Sequence, residues 1–330
     1  MKSIGVVSFN KIPDHDMSTV ATVRLTKYIV QRLASKGLSV TLIDSVEKCH
    51  PKKYDALITI NGVFLFCNFK QEYAALVHMN NRHIWVGQDY NPNMWIPAVS
   101  GYDIKSRFYG KSDATLIAAY QRKTDNHKKI PKYKYLNWNQ LTYIPGIPEK
   151  QFTVPGVMYY GAFREHREVY FRKYFVDAPY QLNIAAPTPK HQNKFLALNP
   201  KAKIFQFEKS IPEEAGKFQC ALYIEDTYSH VGTPKGIYSS PANRFYEYLS
   251  AGVLTFFDKS VKGTFDIAGI DVSPWVVDSK FELAEKMKNR SLKEMQRKLY
   301  LENDFRRKLD QEFDLIFQQV LGDLIYIQGE

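Results

Sequence analysis

Pro241–Asp258 reads PANRFYEYLSAGVLTFFD. Ser240 and Pro241 stand where helices begin and Gly252 where they end, so the spacing predicts a helix from about Ala242 to Ala251. Val253–Phe257 then reads as a buried strand. Phe245, Leu249 and Val253 share an apolar stripe. Arg244 and Glu247 lie three apart and project from one face of the first turns. A helix N-terminus above the carboxyl end of a parallel sheet is a place for an anion or a nucleotide. There the Arg can reach phosphate, and the Glu can accept from the two hydroxyls of a ribose. An ordinary amphipathic helix with a surface Arg–Glu pair is the plainer reading of the same spacing.

The stretches on either side extend this strand–helix rhythm. The chain has 330 residues, long enough for two domains with sizeable cores. No apolar run reaches the ~20 residues needed to span a bilayer. MKSIGVVSF enters a strand pattern at once, which predicts no signal peptide. The three cysteines, Cys49, Cys67 and Cys220, are far apart and suit a reducing cytoplasm. The net charge of +11 suits a protein that works on nucleic acid or on an acidic membrane, or a merely basic soluble one.

In the first half, Ile4–Phe9, Ser39–Ile43, Asp55–Ile60, His83–Gly87 and Ala114–Ala119 read as strands. Ser18–Ser35 and Phe69–Met79 read as helices. This is the pattern of an open α/β sheet. The loop after the first strand lacks the dinucleotide fingerprint and carries Asp14-His15-Asp16, better read as a solvated loop than as a metal site. Asp89 follows the fourth strand, where α/β enzymes place working side chains. It reads equally as a general base or as a turn-forming Asp before Asn91-Pro92. Gln121–Tyr135, QRKTDNHKKIPKYKY, sets Arg122, Lys123, Lys128, Lys129, Lys132 and Lys134 against the single acid Asp125. It reads as a loop whose cations would displace counterions from a phosphodiester backbone, or as an ordinary solvated charged loop.

Tyr143–Gly156, YIPGIPEKQFTVPG, reads as a linker. The domain expectation is 1–145, a linker at 146–156, a second domain at 157–310 and a C-terminal helix at 311–330 returning to the first. Val157–Tyr160 restarts the strand pattern and runs into Gly161-Ala162-Phe163-Arg164-Glu165-His166-Arg167 and a helix to about Phe175. A glycine turn with Arg164 and Arg167 in the first helical turn can cradle a pyrophosphate. Tyr180–Ala185, Lys203–Phe207 and Phe218–Ile224 read as strands, the last leading to Asp226, which could meet sugar hydroxyls. One long helix is expected from about Ser291 towards Leu324, with Leu292, Met295, Leu299, Leu309, Phe313, Ile316 and Val320 along its seam.

GAFREHR after a strand, the Asp226 loop and NRFYEYLSAG before a strand together resemble the donor half of GT-B glycosyltransferases, in particular the T-even phage DNA β-glucosyltransferases. The resemblance implies an α/β fold of two Rossmann-like domains facing a central cleft, with a bridging C-terminal helix. It implies that Gly161, Arg164 and Arg167 hold the pyrophosphate of a UDP-sugar, UDP-glucose first among them, and that Arg244 and Glu247 hold phosphate and ribose. Ile84-Trp85-Val86-Gly87-Gln88-Asp89 resembles the family's catalytic context, which puts the base on Asp89. Ala162 stands where the family has Ser, and Arg164 and Arg167 are one residue closer together. The implied acceptor is the hydroxymethyl group of a modified pyrimidine in double-stranded DNA. The protein would work as a cytoplasmic monomer without a membrane. Mg or Mn can accompany such a donor, but no residue is assigned to a metal. A GT-B enzyme with a carbohydrate or lipid acceptor at a membrane surface, for which Trp95 and Trp138 are the pointers, is the alternative. A non-catalytic nucleic-acid binder on the same scaffold is a third reading.

Overall fold

The computed structural model describes residues 2–8, 16–50, 52–60, 76, 79–80, 82–87, 115–118, 133–145, 151–225 and 241–322. The chain divides into two compact units. Unit 1 is Met1–Leu141 with Lys308–Glu330, and unit 2 is Thr142–Arg307.

Unit 1 is built on a six-stranded sheet of β1 (Ser3–Val7), β2 (Ser39–Ile43), β3 (Ala56–Ile60), β4 (His83–Gly87), β5 (Thr115–Ala118) and β6 (Tyr133–Tyr135). The spatial order is β2-β1-β3-β4-β5-β6, and every pairing is parallel. Parallel strands covered on both faces read as continuous apolar runs, and all five residues of β3 are buried. Helix α1 (Asp16–Ser35) lays Leu25, Tyr28, Ile29 and Leu33 into the core. Tyr28, Trp138 and Phe313 meet edge to face there, with ring centroids 5.3 Å apart for Tyr28–Phe313 and 6.4 Å for Tyr28–Trp138.

One expectation fails in this unit. Tyr133–Tyr135, read as part of a basic loop, is strand β6 at the sheet edge, paired with β5. The Tyr-Lys-Tyr alternation is a two-residue period, and a lysine-bearing edge strand is a usual way to end a sheet.

Unit 2 runs β7 (Val154–Tyr160), α2 (Glu168–Phe175), β8 (Leu182–Ala185), α3 (Pro189–Leu198), β9 (Lys203–Ile204), β10 (Phe218–Tyr223), α4 (Asn243–Ala251), β11 (Leu254–Asp258), β12 (Val276–Val277) and α5 (Ser291–Glu302). Its sheet is also six-stranded and parallel, ordered β9-β8-β7-β10-β11-β12. That is the order of a dinucleotide-binding domain, with its direction reversing between β7 and β10. β7 starts at Val154, inside the stretch read as linker. Pro155 and Gly156 fit within it because the pairing with β10 shifts register there, and Gly156 takes a φ of +91°.

The core of this unit is aromatic: Tyr159, Phe171, Phe175 and Phe195 form one cluster, and Tyr223, Phe245, Phe257 and Phe265 another part of it. Trp275 is buried, its indole N–H donating to the Leu292 carbonyl at 2.8 Å. The helix expected from Ser291 onward is two helices, α5 and α6 (Phe305–Leu321), broken at Asn303-Asp304. Asp304 accepts from the Arg307 amide at 2.9 Å, so its side chain starts the new helix. The boundary between the units falls within α6. Among the described residues, no helix is long and apolar enough to cross a membrane.

Candidate functional site

The reversal of strand order in unit 2 leaves a crevice at the carboxyl ends of β7 and β10. β7 ends in Tyr159 and Tyr160 with Gly161 next, and β10 is followed by Ile224 and Glu225. The first turns of α4 supply Arg244 and Glu247. Gly252 closes α4 in the left-handed region at φ +65° and turns the chain into β11, as the sequence suggested. The amino end of α4 has no side-chain cap. Its Ala242 amide donates instead to the Tyr223 hydroxyl at 2.9 Å.

Arg244 and Glu247 are not a surface pair. The Arg244 side chain is 11% exposed and Glu247 is 5% exposed. The guanidinium lies over two rings, 5.1 Å from the centroid of Tyr159 and 5.0 Å from that of Tyr160. Its Nη1 donates to the Ile224 carbonyl at 3.0 Å and lies 3.9 Å from Glu225 Oε2. Burial opposes this charge, but Tyr159 and Glu225 more than offset it, and the Arg244 pKa is raised. Glu247 accepts a hydrogen bond from the Tyr160 hydroxyl. Burial, and then the Glu247 carboxylate, push the Tyr160 pKa well above its ordinary value, so the phenol remains a donor.

Arg167 ends the short turn Glu165–Arg167 that follows the glycine. It is buried and ion-paired with Glu225. Glu225 thus lies between two buried guanidinium groups. Gly161 is required at its position. Its φ is +138°, and a Cβ there would lie 2.6 Å from Arg244 Nη2 and 3.4 Å from the Tyr159 hydroxyl. Two polar atoms beside it, Arg244 Nε and Tyr159 Oη, are buried with no hydrogen-bond partner among the described residues. Orphaned buried donors beside Gly161 fit an absent polar ligand, and the guanidinium charge calls for an anion.

The structure therefore brings together Gly161, Arg167, Arg244 and Glu247. Arg164 is placed differently. It precedes the turn in extended conformation (φ −116°, ψ 129°) and is exposed, and its guanidinium has no hydrogen bond or ion pair among the described residues. Asp89, Asp226, Arg122, Lys123, Lys128, Lys129 and Lys132 lie outside the described residues. The backbone of Lys134 is in β6. Sequence reasoning passed over Glu225 and Tyr160, the two residues that tie the site together. Two arginines converging on a strand end without an assigned acid were the signal for Glu225. No group of three or more His, Cys, Asp or Glu side chains among the described residues could hold a metal ion.

No family model and no curated protein matches the sequence. Solved structures do match. The DNA modifying enzyme β-glucosyltransferase, determined with and without uridine diphosphoglucose, superposes with a TM-score of 0.63 at 15% identity, over 97% of this chain and 99% of that one. T4 phage BGT in complex with UDP and Mn2+ gives 0.61 at 15% identity over 98% and 100%. AviGT4, a glycosyltransferase involved in avilamycin A biosynthesis, gives 0.50 at 8% identity over 97% and 98%.

The fold is GT-B. Both sheets of a GT-B chain are parallel α/β sheets, as both are here. At these identities the likeness extends to the scaffold, and the chemistry has to be argued from the side chains.

Proposed function

We propose that this protein is a GT-B glycosyltransferase that moves a sugar from a UDP-sugar, UDP-glucose first among them, to the hydroxymethyl group of a modified pyrimidine in DNA. The observation that carries the reading is the convergence of buried Arg167 and Arg244 at the glycine turn, with Glu247 one helical turn further along α4.

In this reading the two guanidinium groups stabilise the charge that develops on the departing nucleoside diphosphate. They are already oriented, Arg244 by two tyrosine rings and the Ile224 carbonyl, so little reorganisation accompanies bond cleavage. Glu247 accepts from the ribose hydroxyls, and Tyr160 holds its carboxylate for that task. Arg164, exposed beside the turn, reaches the outer phosphate.

Asp89 takes the proton of the acceptor hydroxyl. The freed oxygen bonds to the anomeric carbon as the bond to the diphosphate breaks, with an oxocarbenium-like transition state. The target base leaves the duplex stack to reach this centre. Arg122, Lys123, Lys128, Lys129, Lys132 and Lys134 follow the DNA phosphates. Unit 1 is then the acceptor domain and unit 2 the donor domain of a monomer. The DNA acceptor is favoured by the net charge of +11 and by the likeness to a DNA modifying enzyme.

The test incubates the protein with hydroxymethylated and plain DNA and a panel of UDP-sugars, then analyses the digested nucleosides by mass spectrometry. A mass increase of one sugar, on hydroxymethylated DNA only and abolished by Asp89→Asn, supports the proposal. Sugar transfer to neither DNA refutes the acceptor assignment.

A further inference from the structure

At the carboxyl end of β10, Arg167 and Arg244 bring two permanent positive charges with Glu225 between them, and Glu247 adds a second buried carboxylate one helical turn beyond Arg244. The first three side chains are largely withdrawn from solvent, at 9%, 11% and 15% exposed for Arg167, Arg244 and Glu225. The sharing is unequal. Glu225 Oε1 is paired closely with Arg167, while Oε2 stands 3.9 Å from Arg244 Nη1, beyond hydrogen-bond distance. Arg244 Nε, buried beside it, is left without a partner among the described residues. A carboxylate whose only task was to satisfy both arginines would be expected to close that gap.

We infer that Glu225 is a placeholder for the ligand: its carboxylate occupies the anion position between Arg167 and Arg244 in the empty protein, and a diphosphate displaces it. The inference deepens the proposed function and rests on it only for the identity of the anion as part of a nucleotide. A carboxylate and a phosphate oxygen pair present the same acceptor geometry to a guanidinium fork. They cannot share the position, because their charges repel within a poorly solvated pocket. Glu225 therefore does two things. It keeps two neighbouring buried cations from repelling each other before the donor arrives, and it sets a threshold that only a more highly charged anion overcomes. A monoanion replaces one negative charge by another and gains little. A diphosphate adds charge and can also reach Arg244 Nε and the Tyr159 hydroxyl next to Gly161. The device thus selects diphosphate esters over monophosphates and over free carboxylates.

Calorimetric titration of UDP, UMP and inorganic pyrophosphate into the wild-type protein, Glu225→Gln and Glu225→Asp tests this, with thermal melting of each variant alone. Gln keeps the shape and removes the charge. The expected result is at least tenfold tighter binding of UDP and pyrophosphate to Glu225→Gln. The affinity gap between UDP and UMP should narrow, and the melting temperature of the empty variant should fall, with UDP restoring it. Glu225→Asp, which keeps the charge, should bind UDP no more tightly than the wild type. Unchanged or weaker UDP binding to a folded Glu225→Gln overturns the placeholder role, while leaving the UDP-sugar reading intact. Tighter pyrophosphate binding to Glu225→Gln, with UDP bound no better than pyrophosphate, supports the placeholder and refutes the nucleotide. Failure of every anion to bind any folded variant overturns both.

Discussion

Each unit is built on a six-stranded parallel sheet, and the charged groups described in the two lie in different places. In unit 2, Arg167, Glu225, Arg244 and Glu247 are drawn into the carboxyl end of the sheet and held among aromatic rings. In unit 1, β1 ends in a neutral contact, the Ser8 hydroxyl 2.7 Å from that of Thr26. Of the ion pairs described there, Lys48–Asp44 follows β2 and the others join Arg32 and Lys36 to α6. Asp314 of α6 receives Arg32 Nη2 and Lys36 Nζ, each at 2.6 Å, on the half-buried face of α1. The difference teaches that a parallel sheet supplies only the address of a site. Whether the address is used depends on which residues follow the strands. Rigid buried arginines suit a small, compact anion. The run from Arg122 to Lys134, six cations against one acid, is the track proposed for a long one.

The largest expected effect breaks the comparison at its centre. Arg244→Ala removes the cation that touches Gly161, Tyr159 and Tyr160, and UDP affinity should fall by about 100-fold or more, at roughly 3 kcal/mol for a charge-assisted contact. Calorimetry measures this, and DNA binding should be unchanged. The converse substitution is Lys128→Glu with Lys129→Glu. It should weaken DNA binding and lower the slope of log affinity against log salt by about 2 while UDP binding stays constant. A salt titration checks it.

A third outcome sharpens the contrast in stability. His83 of β4 is buried in unit 1, its Nε2 2.7 Å from the Thr59 hydroxyl, and burial lowers its pKa to about 3. The folded state holds it neutral, while the unfolded chain protonates near pH 6.5. Its contribution is therefore full above that pH and is lost as pH falls from about 6.5 towards 3. Unfolding free energy should drop by about 2 kcal/mol between pH 7 and pH 5 from this group. Denaturant titrations at the two pH values measure the drop, and His83→Gln should flatten it.

The smallest effect concerns the start of unit 2. Ser250 of α4 accepts from the Ile144 amide at 2.8 Å, and the Tyr300 hydroxyl donates to the Ile144 carbonyl at 3.0 Å. Ser250→Ala should cost about 1 kcal/mol in a denaturant titration, with UDP affinity unchanged within a factor of two or so.

Much of this molecule was legible in its residues. Strands such as Ala56–Ile60 and His83–Gly87 show as short apolar runs because parallel sheets bury both faces. α4 and its Gly252 stop show because capping is a local matter. What escaped was decided at a distance. Glu225 gives no local signal of its role, and only its packing against Arg167 and Arg244 assigns it to the crevice. Tyr160 looks like one more core aromatic until its hydroxyl meets Glu247. The break between α5 and α6 was missed for a different reason. The apolar seam continues across Asn303-Asp304, and the helix-starting Asp was outweighed by it.

The placement of Trp275 has a practical consequence. It is the only tryptophan between Thr142 and Arg307, since Trp85, Trp95 and Trp138 all fall in the other unit. Its indole is sealed in the aromatic core and tied to the Leu292 carbonyl. With the other indoles replaced by phenylalanine, the chain would carry one fluorophore whose emission shifts to the red only when unit 2 opens. Melting followed at that wavelength, with and without UDP, would show whether nucleotide steadies one half alone or the whole chain.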